Sequence, residues 1–160
     1  MGSRSNANDG DGQSVLDIVD DWYQVPALLL VVGAMFAIRM QSYSNFIRDG
    51  EVFFSGNDAW YHYRATTYIV ENWPATMPFD PWTGFPYGTS AGQFGTLYDQ
   101  IVATVALLLG GGSPSPELVA KVLLVAPAAG GALTAIPIYF IGKRLSGRLT
   151  GLFGAVVLLL

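Results

Sequence analysis

The chain has 160 residues, of which 51% are hydrophobic and only 12% charged, with a formal net charge of −4 and no cysteine. The charged fraction is roughly half that of an ordinary soluble domain, which argues for a membrane protein. Without cysteine there is no disulfide framework, thiolate zinc site or cysteine nucleophile, and no Lys/Arg cluster is large enough to follow a phosphate backbone, so nucleic acid is excluded as a partner.

The net charge belongs to residues 1–21, where Asp9, Asp11, Asp17, Asp20 and Asp21 face one base, Arg4; from Trp22 onward acids and bases balance. This acidic tail is expected to be disordered and cytoplasmic. It lacks the basic start and cleavage site of a signal peptide, so the first apolar run should be retained. That run fills a first span at 22–40, anchored by Trp22 and Tyr23 and closed by Arg39. A second run, Ile101 to Gly112, is short for a crossing and fits an interfacial segment. A third, Val122 to Gly142, is uncharged and long enough to span despite Pro127 and Pro137. The fourth starts at 149 and is still apolar at Leu160, so the chain is expected to be the N-terminal part of a longer protein.

Sidedness follows from parity. Lys143, Arg144 and Arg148 make the turn at 143–148 the cytoplasmic one. With the second run non-spanning, the N-terminus is also cytoplasmic, the second span is 119–142, and residues 41–118 form an external loop. A loop of that length is more than a connector.

The loop is rich in aromatics, among them Trp60, Tyr61, Trp73, Phe79, Trp82, Phe85 and Tyr87. Two readings stay open: a surface at headgroup level, or a small packed aromatic core. Within it the spacing predicts a helix over about 58–73, capped by Asn57 or Asp58 and stopped by Pro74, and a second over 93–109. The fold class is therefore an all-α membrane protein, with a large external loop holding two interfacial helices.

Asp58 has two readings from its position. An aspartate just before a helix is most often a cap; the other reading is a ligand for a hard divalent cation, magnesium or manganese, which takes few carboxylates from any one segment. His62 shares a helix face with Asp58, as a metal partner, a hydrogen-bond partner of Asp58, or a polar residue at the water boundary. Arg64 is placed either to meet a phosphate or to snorkel to headgroups.

Gly56-Asn57-Asp58-Ala59-Trp60-Tyr61-His62-Tyr63-Arg64-Ala65-Thr66 resembles the first external loop of oligosaccharyltransferase catalytic subunits, in particular those of archaea. Asp80-Pro-Trp82-Thr-Gly-Phe-Pro86-Tyr-Gly88, and Pro137 through Lys143-Arg144 to Gly151, are similar to later segments of the same family in the same order. The resemblance implies the N-terminal part of a GT-C type multi-span glycosyltransferase. In it Asp58 matches the aspartate that holds the catalytic Mn2+ or Mg2+ and contacts the acceptor amide, with Asn57, His62 and Arg64 as candidate supporting residues. It also implies the substrates and partners: a lipid-linked oligosaccharide on a dolichol-type phosphate, an acceptor polypeptide with Asn-x-Ser/Thr, and membrane lipid, with inversion at the transferred sugar. The remaining metal ligands and the acceptor site are expected beyond Leu160, leaving the fragment inactive alone. Another GT-C enzyme using a polyprenyl-phosphate sugar is the nearest alternative. A transporter would need polar residues inside the spans and inverted repeats, and neither is seen.

Overall fold

The computed structural model describes residues 22–159, without the side chains of residues 93 and 94. The tail expected at 1–21 lies outside the described residues. The helices are α1 (Gln24–Met40), α2 (Asn57–Asn72), α3 (Leu97–Leu109), α4 (Pro116–Leu133), α5 (Ala135–Ser146) and α6 (Arg148–Val157). Two segments, Gln24–Phe46 and Pro116–Ser146, are long and apolar enough to cross a membrane.

The chain divides into two compact units. One is Ala34–Thr134; the other joins the described residues up to Gly33 with those from Ala135 onward.

In the Ala34–Thr134 unit three helices pack, each by one face. α2 buries Tyr61, Ala65, Thr66 and Ile69; α3 buries Asp99, Val102, Ala103 and Ala106; α4 buries Val119, Ala120 and Leu123. Steps of three and four residues put each set on one side of a 3.6-residue helix. Burying Ile69, Val102, Val119 and Leu123 contributes about 1.5–3 kcal/mol apiece. α4 starts sharply because the Ser115 hydroxyl accepts from the Leu118 N–H at 3.2 Å and Pro116 occupies the first turn.

In the other unit α5 and α6 form an antiparallel pair with almost no space between their backbones. A Cβ added at Gly151 would stand 2.5 Å from the Tyr139 carbonyl oxygen, and one at Gly142 2.8 Å from the Gly151 Cα. The Tyr139 hydroxyl donates to Gln24 Oε1 of α1.

The structure corrects several boundaries. The single helix expected over 119–142 is two, broken at Thr134; Pro137 has no N–H to give to the preceding turn, and the Thr134 hydroxyl donates back to the Gly131 carbonyl at 2.6 Å. The turn expected at 143–148 contracts to Gly147, whose φ of 92° reverses the chain in one residue. Lys143 and Arg144 instead finish α5, where cations suit the negative end of the helix dipole. The helix expected from 93 starts at Leu97, after a 3-10 turn and Gly95 at φ 75°.

The fold is mostly helical rather than all helical. Antiparallel two-residue strands β1 (Ile47–Arg48) and β2 (Glu51–Val52) are joined by Asp49 and Gly50, both at positive φ, and β3 (Phe79–Asp80) pairs with β4 (Thr89–Ser90). As for the loop aromatics, Trp60, Trp73, Phe79, Trp82, Phe85 and Tyr87 are exposed, while Tyr61 is buried in a small cluster with Ala65, Met77 and Ala91 on which Tyr68 packs, so the loop holds both arrangements, a small core and an exposed surface. α3 adds to this surface: opposite its buried face it exposes Leu97, Ile101, Val105 and Leu108.

Candidate functional site

Everything in the site hangs on α2. Gly56, at φ 85°, turns the chain into the helix, so Asn57 and Asp58 fall in its first turn rather than at its cap, and neither side chain makes a capping bond. This corrects the cap expected at Asn57 or Asp58. The Asp58 carboxylate is exposed and has no hydrogen bond or ion pair among the described residues. An unengaged anion at the positive end of a helix is electrostatically favoured there, yet it leaves its lone pairs available.

One turn on, His62 faces α3 instead of Asp58. Its Nδ1 lies 2.7 Å from Oδ1 of Asp99. Asp99 is fully buried, and its Oδ2 has no partner among the described residues. The hydrogen bond to Asp99 raises the His62 pKa above its ordinary value, against the lowering effect of burial and with help from the charges of Asp99 and Asp58. Tying Nδ1 to a carboxylate also fixes the ring's orientation.

Arg64 sits two residues further, on another side of the helix. Its guanidinium is engaged by a carboxylate: Nε donates to Asp80 Oδ1 at 3.1 Å and Nη2 to Oδ2 at 2.6 Å. Two parallel bonds of this kind are the strongest geometry a guanidinium and carboxylate can adopt. Asp80 is fully buried and also accepts from the Trp82 N–H at 3.2 Å and the Thr83 hydroxyl at 2.6 Å. Burial pushes its carboxyl up, but the Arg64, Thr83 and Trp82 donors together outweigh it and hold the pKa at about 2.

The Asp80 carboxylate thus pins the start of the 82–84 segment against α2. Between that segment and the helix lies a cavity of about 650 Å3, lined by Asn57, Asp58, His62, Arg64, Trp82 and Thr83 among others. The candidate residues Asn57, Asp58, His62 and Arg64 therefore meet around one space. No group of three His, Cys, Asp or Glu side chains that could hold a metal is found among the described residues. Asp58 fits as one ligand of a hard cation, which commonly keeps waters and takes one or two carboxylates.

Asp80 and Asp99 carry structure that spacing had not assigned to them. Asp80 precedes Pro81 in a turn-forming stretch, the usual setting for a carboxylate that bonds backbone N–H groups two residues on. Asp99 is the one charge in the apolar helix Leu97–Leu109.

Residues 27–160 match the family model described as oligosaccharyl transferase STT3, N-terminal. The chain belongs to that family. Among STT3-type relatives it is 65% identical over 147 residues to the dolichyl-monophosphooligosaccharide–protein glycotransferase AglB of Haloferax volcanii, a match covering 92% of this chain and 14% of the relative. It is 27% identical over 132 residues to dolichyl-phosphooligosaccharide-protein glycotransferase 3 of Archaeoglobus fulgidus, covering 81% and 15%. The crystal structure of an Archaeoglobus fulgidus oligosaccharyltransferase in its apo form shares the fold, with a TM-score of 0.73 at 24% identity over 86% of this chain and 16% of that one. The chain accordingly spans about a seventh of the length of the STT3 relatives it matches.

Proposed function

We propose that this chain is the N-terminal membrane part of an oligosaccharyltransferase that moves a glycan from a dolichol-type phosphate lipid to the asparagine of Asn-x-Ser/Thr, with inversion. The observation that carries the reading is the Asp58 carboxylate: unengaged, at a helix N-terminus, and opening onto a polar cavity in a chain of the STT3 family.

An amide nitrogen is a poor nucleophile because its lone pair is delocalised into the carbonyl. Asp58 accepts a hydrogen bond from the acceptor amide N–H and weakens that delocalisation, while the Arg64–Asp80 clamp keeps the Trp82–Gly84 wall from closing over the acceptor. Asp58 is also the ligand this chain offers to Mn2+ or Mg2+, which when bound supplies positive charge to stabilise the departing phosphate. Further ligands come from parts of the protein outside this chain.

The loop 41–118 lies on the external side, with α2 and α3 along the membrane surface and the N-terminus and Gly147 turn cytoplasmic. Support for the sides comes from Lys143, Arg144 and Arg148, the bases that flank the Gly147 turn. α4 packs on α2 and α3, which ties the second span to the loop it follows.

The test is Asp58→Asn in the full-length protein. Transfer to an Asn-x-Ser peptide should fall at least ~100-fold, or ~2.7 kcal/mol of transition-state stabilisation. Manganese binding, followed separately by calorimetry, should weaken while thermal stability holds. Wild-type transfer by this variant would remove Asp58 from the chemistry.

A further inference from the structure

A second cavity, of about 490 Å3, lies within the Ala34–Thr134 unit between the end of α1, the turn that follows it, and α2, α3 and α4. Asp58 does not line it. Its apolar wall comes from residues such as Met40, Leu124 and Ala128, and two basic side chains reach it, Arg39 and His62. No carboxylate lines it among the described residues. Among the described residues Arg39 is not spent inside the chain, and His62 is spent at one ring nitrogen only. Arg39 makes no ion pair among the described residues; its guanidinium lies over Gly131, 3.0 Å from where a β-carbon would stand. His62 uses Nδ1 on Asp99 and has no hydrogen-bond partner at Nε2 among the described residues.

A guanidinium without a carboxylate, beside an apolar wall and a free ring nitrogen, is complementary to an anion that carries a hydrocarbon chain. The position suits it: Arg39 is the base closing α1, a segment able to cross a bilayer, where headgroups would stand. The volume is in the range of small-molecule sites. The tyrosines Tyr43 and Tyr98 on the lining add hydroxyl donors that phosphate oxygens can use.

We propose that this cavity is a binding site for a membrane lipid with a phosphate head of net negative charge, distinct from the reacting glycan donor, its headgroup held by Arg39 and by Nε2–H of His62 and its chain lying on the α1 and α4 wall. The distinction from the donor rests on the reading of Asp58 above, because the reacting phosphate has to reach the cavity that Asp58 lines; the lipid site itself does not rest on it.

The experiment is native mass spectrometry of the full-length protein released from vesicles of phosphatidylcholine and phosphatidylglycerol. Wild-type protein should retain phosphatidylglycerol in preference to phosphatidylcholine. Arg39→Gln should retain about tenfold less, the loss expected for one charge-assisted contact, and Arg39→Lys should restore part of it. Arg144→Gln, a cation of the other unit, should retain as much as wild type. Asp58→Asn should lose transfer and keep the lipid, which separates this site from the reaction. Equal retention by Arg39→Gln, equal retention of phosphatidylcholine, or no retained lipid would each overturn the proposal. So would displacement of the lipid by dolichyl phosphate at equal concentration, which would give the cavity to the donor. Displacement by inorganic phosphate alone would show that no chain is needed, and would overturn it as well.

Discussion

Arg64 grips Asp80 with two donors of its guanidinium at once, Nε on Oδ1 and Nη2 on Oδ2, across sixteen residues of chain. The pair joins α2 to the loop segment that faces Asp58, so its loss should be felt in both stability and geometry. Removing one member of such a pair leaves the other uncompensated, at about 3–5 kcal/mol when both are buried; Arg64 is partly exposed, which lowers this to roughly 2–3 kcal/mol by screening. Asp80→Ala should lower the melting temperature of the full-length protein in detergent accordingly. Arg64→Lys should lose most of the same stability, because an ammonium cannot make the two parallel bonds. A melting temperature unchanged in both variants would show that the clamp holds nothing.

Acid should release the same contact. The Asp80 carboxyl is held at about 2, below its ordinary 3.8. A folded-state pKa below the unfolded one contributes stability that is fully present above the unfolded value and is lost as pH falls through the folded one. Loosening of the 80–90 segment should therefore set in below about pH 4 and be complete near pH 2. Hydrogen exchange of the Trp82 amide across that window checks it, and Asp80→Asn should flatten the response.

His62 has the opposite sign. Its pKa is raised, chiefly by the bond to Asp99, so the stability it contributes is fully present below about pH 6.5 and fades as pH rises through the higher folded value. Since this is the only histidine in the chain, its ring carbon signal can be labelled and followed in the segment. Asp99→Asn should move the midpoint down. A midpoint unaffected by that change would mean that the Asp99 bond does not form.

Glycine tolerance should split sharply between two helical positions. Gly151→Ala places a methyl group 2.5 Å from a backbone oxygen that cannot step aside, and overpacking of this kind costs about 1–3 kcal/mol. Gly130→Ala meets nothing within 4 Å and should be neutral or stabilising by up to ~1 kcal/mol. Thermal melts of the two variants, with Gly142→Ala expected to follow Gly151→Ala, decide the matter.

Sidedness can be read with single cysteines, since the chain has none of its own. Ser90, Ser113 and Ser146 are all exposed. In intact cells an impermeant thiol reagent should label Ser90→Cys and Ser113→Cys and leave Ser146→Cys untouched. The reverse pattern would invert the topology.

What the residues disclosed in advance was whatever acts locally. The apolar runs and Pro74 as a stop follow from neighbours in sequence, and α2 lies within a residue of its expected 58–73. The hairpin turning at Asp49-Gly50 was not anticipated, because its two-residue strands are too short to show alternation. The site was legible only in part. Asp58 and His62 are four residues apart and share a face, so a bond between them was one natural reading; His62 instead turned to a carboxylate 37 residues away. Asp80 and Asp99 acquire their partners through tertiary packing, and no local spacing encodes a contact of that range.

The bond between Tyr139 and Gln24 closes a separation of 115 residues, with the whole Ala34–Thr134 unit inserted between them. On a ribosome adding ~5–20 residues per second, Gln24 therefore emerges roughly 6–23 s before its partner exists. During that interval the first turns of α1 lack the partner that Tyr139 later supplies. Its residues from Val25 to Ile38 carry no charge and no hydroxyl or amide side chain, so that stretch holds no polar group that would need a partner in the meantime.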